Sequence, residues 1–169
     1  MNYASFEVDG RATYGVRVGD TVREPDTAFL SRYPDLRAAV AACRLSDLAD
    51  AASGSAHDID NITYLPVIPN PDNILCVGVN YRPHIEEMGR DIPEYPVVFG
   101  RFPGSQTGHG QPVYRPQASL QFDFEGELAV VIGKPARHVK RADALNYIAG
   151  YSCFMDGSVR DWQRHTMQF

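Results

Sequence analysis

The segment Asp123-Phe124-Glu125-Gly126-Glu127 sets three carboxylates at alternate positions, directly ahead of the apolar run Leu128-Ala129-Val130-Val131-Ile132. Successive side chains of a strand face opposite sides, so Glu125 and Glu127 share one face and Asp123 joins them. Carboxylates crowded beside a hydrophobic strand repel one another, and burying them unpaired is costly. A divalent cation bound to the oxygens removes that cost, and Mg2+, Mn2+ and Ca2+ are the hard ions such ligands favour. Asp156 follows the apolar run Tyr151-Ser152-Cys153-Phe154-Met155 and is the candidate third ligand. The plainer alternative is a row of carboxylates on a solvated strand edge.

A second group, His84-Ile85-Glu86-Glu87, places an imidazole three residues before a carboxylate, within reach on a helix. A carboxylate beside imidazole raises its basicity and fixes its tautomer, which suits a general base that activates water. A surface histidine beside a surface glutamate is the alternative. Other features carry less. Gly108-His109-Gly110 lacks a P-loop lysine or a GxGxxG pattern and reads as a turn. Arg160-Asp161-Trp162 reads as a source of structural hydrogen bonds, and His57, His138 and His165 as solvated side chains. Cys43 has Arg44 beside it but no histidine near it in sequence, and Cys76 and Cys153 have no basic neighbour that would mark a nucleophile.

These groups need a scaffold, and the composition bounds it. The chain has 169 residues, 44% hydrophobic and 22% charged, which fits a folded globular protein rather than a disordered one. Its net charge of -5, with no basic stripe, argues against a nucleic-acid partner and against anionic membranes. No apolar run suits a membrane span, and the first residues show no signal-peptide pattern. Cys43, Cys76 and Cys153 are an odd, widely spaced set, expected as free buried thiols in a cytoplasmic protein.

Alternation from Tyr3 to Val18, with turns at Asp9-Gly10 and Gly19-Asp20, predicts two or three antiparallel strands. Leu36, Val40, Leu45 and Leu48 predict one or two short helices, and Ala51 to Asp60 a polar connector. Pro66, Pro69 and Pro71 demote the Ile62–Val67 strand to an edge and mark a domain boundary near residue 70. Beyond it, Ile74–Val79 predicts a buried strand, Asn80–Met88 a helix and Val97–Phe102 a strand. Phe122–Ile132 predicts a further strand, Arg141–Asn146 a short helix and Tyr147–Met155 one more strand. The expectation is a strand-rich α+β protein with a small first domain, 1–70, and a second region, 71–169.

Three ordered strings carry a resemblance. Asn73-Ile74-Leu75-Cys76-Val77-Gly78-Val79-Asn80-Tyr81-Arg82-Pro83-His84-Ile85-Glu86-Glu87-Met88 resembles the opening of the fumarylacetoacetate hydrolase domain. Asp123 to Gly133 resembles its metal-binding strand, and Gly150-Tyr151 through Asp156, then Ser158 to Gln163, its third signature. The resemblance runs from about residue 73 to the end, and residues 1–70 match only loosely as a variable N-terminal α+β domain. It implies a mixed β-sandwich or β-roll catalytic domain, usually a homodimer. It also implies Glu125, Glu127 and Asp156 as ligands of Mg2+ or Mn2+, with Ca2+ as a substitute, and His84 with Glu87 as the catalytic pair.

The implied activity is metal-dependent cleavage of a carbon–carbon bond in a small 1,3-diketo or 2-oxo acid such as an acylpyruvate, in aromatic compound catabolism. Oxaloacetate-type decarboxylation and 2-hydroxymuconate-type isomerisation or hydration are near alternatives. A 2,4-dioxo acid chelated by a cation gives up an enolate when the bond breaks. Two departures stand out. Many relatives carry lysine where Arg101 stands, and arginine keeps the charge but is a poorer proton donor or acceptor. Relatives also continue past Phe169 into a lysine-bearing segment and several more strands, so the catalytic domain is expected to be incomplete. A rival of another class is therefore a fragment that binds metal or a complementing C-terminal chain without turnover.

Overall fold

The computed structural model describes residues 1–166; the last positions of the family resemblance, 167–169, lie outside them. Two reversals organise the first half. Asp9 (φ +51°) and Gly10 (φ +74°) both take the left-handed backbone that a two-residue hairpin of the I′ kind requires. They fold β1 (Asn2–Val8) onto β2 (Arg11–Val18), with Val8 opposite Arg11 and Asn2 opposite Arg17. Gly19 (φ +60°) reverses the chain again into β3 (Thr21–Arg23). With β4 (Ala56–Asp58) and β5 (Thr63–Tyr64), these strands make a five-stranded sheet of order β4-β3-β2-β1-β5. The strand expected across Ile62–Val67 is cut to two residues, lies at the sheet edge and ends before Pro66.

Three short helices, α1 (Thr27–Arg32), α2 (Leu36–Ala41) and α3 (Leu45–Asp50), cover one face. Asp26 and Asp35 cap the first two, each carboxylate accepting from a backbone N–H at 2.7 Å, that of Phe29 and Ala38 respectively. Tyr14 and Val16 from the sheet meet Leu36, Ala39, Val40 and Leu48 from the helices in the main core. Ala4, Phe6 and Val22 form a second cluster with Ile59, Ile62 and Tyr64 against it.

The stretch expected as a polar connector contains β4 and a 3-10 turn at Ile59–Asn61. His57 explains it: the ring is not solvated but sits 5.6 Å from the Phe6 ring, with Nε2 2.6 Å from Glu24 Oε1. Glu24 is buried and also accepts from Arg11 Nη2 (2.6 Å), Arg11 Nη1 (3.0 Å) and Thr13 Oγ1 (2.9 Å). Burial pushes the Glu24 carboxyl up, but the bonds from Arg11, His57 and Thr13 outweigh it and hold the group below its ordinary value.

The second half is built from three two-stranded ladders. β6 (Ile74–Gly78) pairs with β7 (Val97–Arg101), β8 (Phe122–Asp123) with β11 (Ser158–Val159), and β9 (Gly126–Ile132) with β10 (Ile148–Met155). Between β6 and β7 lies α4 (Arg82–Glu87), with Pro83 in its first turn, entered through Val79 at φ +53°. After β11 comes α5 (Arg160–Gln163). The halves meet where Val131 and Ala149 pack against the main core and the Cys43 Sγ–H faces the Gly133 carbonyl at 3.7 Å.

Three expectations are corrected. β6 is covered on one face only, Leu75 on the other being 71% exposed. The cysteines are free, but Cys43 and Cys153 are exposed and only Cys76 is half-buried. The strand expected across Phe122–Ile132 is broken at Phe124-Glu125, so Asp123 belongs to a different ladder from Glu127. The strand-rich α+β class stands. Among the described residues no helix is long and apolar enough to cross a membrane.

Candidate active site

The β9–β10 register assembles the carboxylates. Phe154 lies opposite Glu127 and Met155 opposite Gly126, which leaves Asp156 opposite Glu125. The Asp156 N–H donates to the Glu125 carbonyl at 2.8 Å and continues the ladder past the strand end. Directly opposed residues of an antiparallel pair share a face, and so do residues two apart. Glu125, Glu127 and Asp156 therefore point to one side, with Asp156 buried at 6% exposure and the two glutamates half-buried.

The β6–β7 ladder supplies the opposite wall. Ile74 pairs with Arg101 and Cys76 with Phe99, so Arg101 and Cys76 lie on the same, covered face. The Arg101 Nη1 donates to Asp156 Oδ1, and Nη2 donates to the Gly157 carbonyl at 3.0 Å. Burial pushes the Cys76 thiol up, and the negative charges of Asp156, Glu127 and Glu125 add to it against the opposing charge of Arg101.

Arg160 closes the other end. Its Nη2 reaches Glu125 Oε1 at 3.0 Å and Asp123 Oδ2 at 2.8 Å. Burial disfavours the charged guanidinium, but the bonds to Asp123 and Glu125 prevail and raise its pKa above the ordinary value. The short helix α5 is fixed from below. Buried Ser119 donates to Asp161 Oδ1 at 2.6 Å, and the Arg160 N–H donates to the Gln121 carbonyl at 2.8 Å. Asp123 thus joins the group through Arg160 rather than through strand alternation.

The donor set fits a hard divalent cation. Asp123, Glu125, Glu127 and Asp156 against Arg101 and Arg160 leave two negative charges unbalanced, the charge of one such ion. As the side chains lie, with guanidinium groups on Asp156 and Glu125, no group of three or more His, Cys, Asp or Glu among the described residues is gathered closely enough to hold a metal.

His84 and Glu87 stand apart on α4. His84 Nδ1 is 3.7 Å from Glu87 Oε2, an electrostatic contact too long for a hydrogen bond, and both side chains are exposed. Ile85 between them is 3% exposed and lines a recess together with Val77, Ile92 and Tyr95. Among the described residues, no hydrogen bond or ion pair links this pair to the carboxylates. Sequence reasoning missed Cys76 at the cluster and gave Arg160 only a structural role. Period-two alternation on β6 was the available signal for Cys76; for Arg160 there was none, because its partners lie more than thirty positions away.

Known proteins resemble this chain in a consistent way. Residues 73–169 match the family described as Fumarylacetoacetate (FAA) hydrolase C-terminal. An oxaloacetate tautomerase of Bacillus subtilis is 46% identical over 106 residues, 60% of this chain and 35% of that protein. A fumarylacetoacetate hydrolase of Exiguobacterium antarcticum superposes with a TM-score of 0.79 at 31% identity, covering 99% of this chain and 59% of that one. A maleylpyruvate hydrolase of Sphingobium sp., solved in complex with manganese(II) ion and pyruvate, superposes with a TM-score of 0.75 at 25% identity, covering 95% of this chain and 60% of that one. The match thus spans about a third of the curated relatives' length and about 60% of the solved structures.

Proposed function

We propose, since the chain belongs to the fumarylacetoacetate hydrolase family, that it acts on a small 2-oxo acid by enolisation, with Mg2+ or Mn2+ held by Glu125, Glu127 and Asp156. The observation that supports this is the cluster of four carboxylates and two guanidiniums, short of neutrality by the charge of one divalent ion. Bound there, the cation would draw electron density from the 2-oxo acid and favour its enolate. His84 moves the proton. Its Nδ1 faces the Glu87 carboxylate at 3.7 Å, an electrostatic contact, so Nε2 is the nitrogen left to exchange a proton with the substrate or with water.

Keto–enol exchange of an oxaloacetate-like acid is the leading reading, because the Bacillus relative carries that activity in its name. Carbon–carbon hydrolysis of an acylpyruvate, the first expectation from sequence, is the second reading, supported by the likeness to the maleylpyruvate hydrolase. It needs the same enolate and one attacking water. The homodimer implied by the family resemblance belongs to the same proposal, and light scattering would test it.

The experiment follows the ultraviolet absorbance of enol-oxaloacetate and of an acylpyruvate with this chain, with Mg2+ or Mn2+ and again with EDTA. Metal-dependent loss of the enol signal without pyruvate release establishes tautomerisation; two acids released from the acylpyruvate establish hydrolysis. Loss of signal unaffected by EDTA would remove the metal from the reading.

A further inference from the structure

We infer that Arg101 is an internal counter-ion that a divalent cation must displace, so that metal binding and release of the Arg101 guanidinium from Asp156 are one exchange. The inference rests on the proposed metal site, and it concerns what the chain does before the ion arrives.

Asp156 is 6% exposed, and a buried carboxylate requires a counter-charge. Arg101 provides it at two points, Nη1 on Asp156 Oδ1 and Nη2 on the Gly157 carbonyl at 3.0 Å, which pins the guanidinium to the turn that carries Asp156. While it is pinned, no three carboxylates among the described residues are gathered for a metal. A cation at Asp156 would sit beside a fixed positive charge, and the two repel. Arg101 has a way out: its side chain is 24% exposed, while its backbone stays locked in the β6–β7 register opposite Ile74. Once displaced, its planar fork is free to take a carboxylate of an incoming acid in two parallel bonds. Lysine in the same place would hold Asp156 by a single point and yield more readily.

Exchange is reciprocal, so the guanidinium lowers metal affinity and metal raises guanidinium exposure. The test measures Mn2+ binding to the whole chain, by the electron paramagnetic resonance of the free ion, for wild type, Arg101→Gln and Arg101→Lys. Phenylglyoxal labelling of wild-type Arg101, located by mass spectrometry, is run with and without saturating Mn2+. The expected result is binding about tenfold tighter in Arg101→Gln, a smaller gain in Arg101→Lys, and faster labelling of Arg101 with Mn2+.

Unchanged or weaker binding in Arg101→Gln overturns the exchange. So does labelling that Mn2+ leaves unchanged or slows, because a purely Coulombic effect would tighten Arg101→Gln while leaving labelling and Arg101→Lys as they were. If Arg101→Gln fails to give a wild-type circular-dichroism spectrum, Arg101→Lys and the labelling decide. Absence of Mn2+ binding in all three proteins would remove the metal site itself, and the proposed function with it. Binding in wild type that does not tighten in the variants would remove the exchange alone.

Discussion

Nine of the ten buried apolar residues among the described positions, from Ala4 to Leu48, lie in the first seventy, whereas residues 71–166 contribute only Ile85. Each half also buries a carboxylate, but in different company. Glu24 is met by Arg11, Thr13 and His57, all donors and all within one sheet. Asp156 is met by one arginine and faces two further carboxylates across the strand pair. The first arrangement is complete in itself. The second carries surplus negative charge on three narrow ladders whose outer residues, Leu75, Leu128 and Val130 among them, are exposed. The contrast teaches that the apolar core and the carboxylate cluster are built by separate means: one half closes on carbon, and the other gathers unbalanced charge on thin ladders.

Substitutions can break that contrast, and the largest effect belongs to the core. Leu48→Ala, at a side chain with no exposure, is expected to cost about 3 kcal/mol by urea denaturation, through lost transfer energy and the cavity left behind. A cost below about 1 kcal/mol would mean that the helix-covered face is loosely packed. Next is Glu24→Gln, expected to cost about 2 kcal/mol rather than more, because the Arg11 partner is 57% exposed and regains water.

The same group sets an acid limit. Its folded pKa is depressed, so its stabilising contribution is present above the unfolded value of about 4 and is lost as pH falls through the folded one. A melting temperature that drops on acidification in wild type and stays level in Glu24→Gln is the expected pattern. Smallest is Leu128→Ser on the outer face of β9, 61% exposed, expected to change stability by less than about 0.5 kcal/mol. A change above 1 kcal/mol there would show that this face is covered in solution.

Sequence patterns revealed what local chemistry decides. Asp9-Gly10 and Gly19 announced the first hairpins because only certain residues accept positive φ, and Pro66 predicted a short edge strand because it has no N–H to donate. The shared face of Glu125 and Glu127 was readable because strand period is a local rule, whereas Asp156 was a candidate only from its place at the end of an apolar run and from the family resemblance. What escaped depends on distant partners. His57 looked solvated because Glu24 lies 33 positions away, and the strand at Ala56–Asp58 went unseen with it. The break at Phe124-Glu125 was hidden because alternation continues through it while the partner strand changes from β11 to β10.

Val79 leaves one consequence. A β-branched residue at φ +53° occupies a conformation that its own side chain resists, at a cost on the order of 1 kcal/mol. That strain sits in the bend between the strand that carries Cys76 and the helix that carries His84. The bend fixes the angle at which the helix leaves the strand, and with it where His84 stands. Glycine at this position would relieve the strain and loosen that angle without touching any atom of the ring.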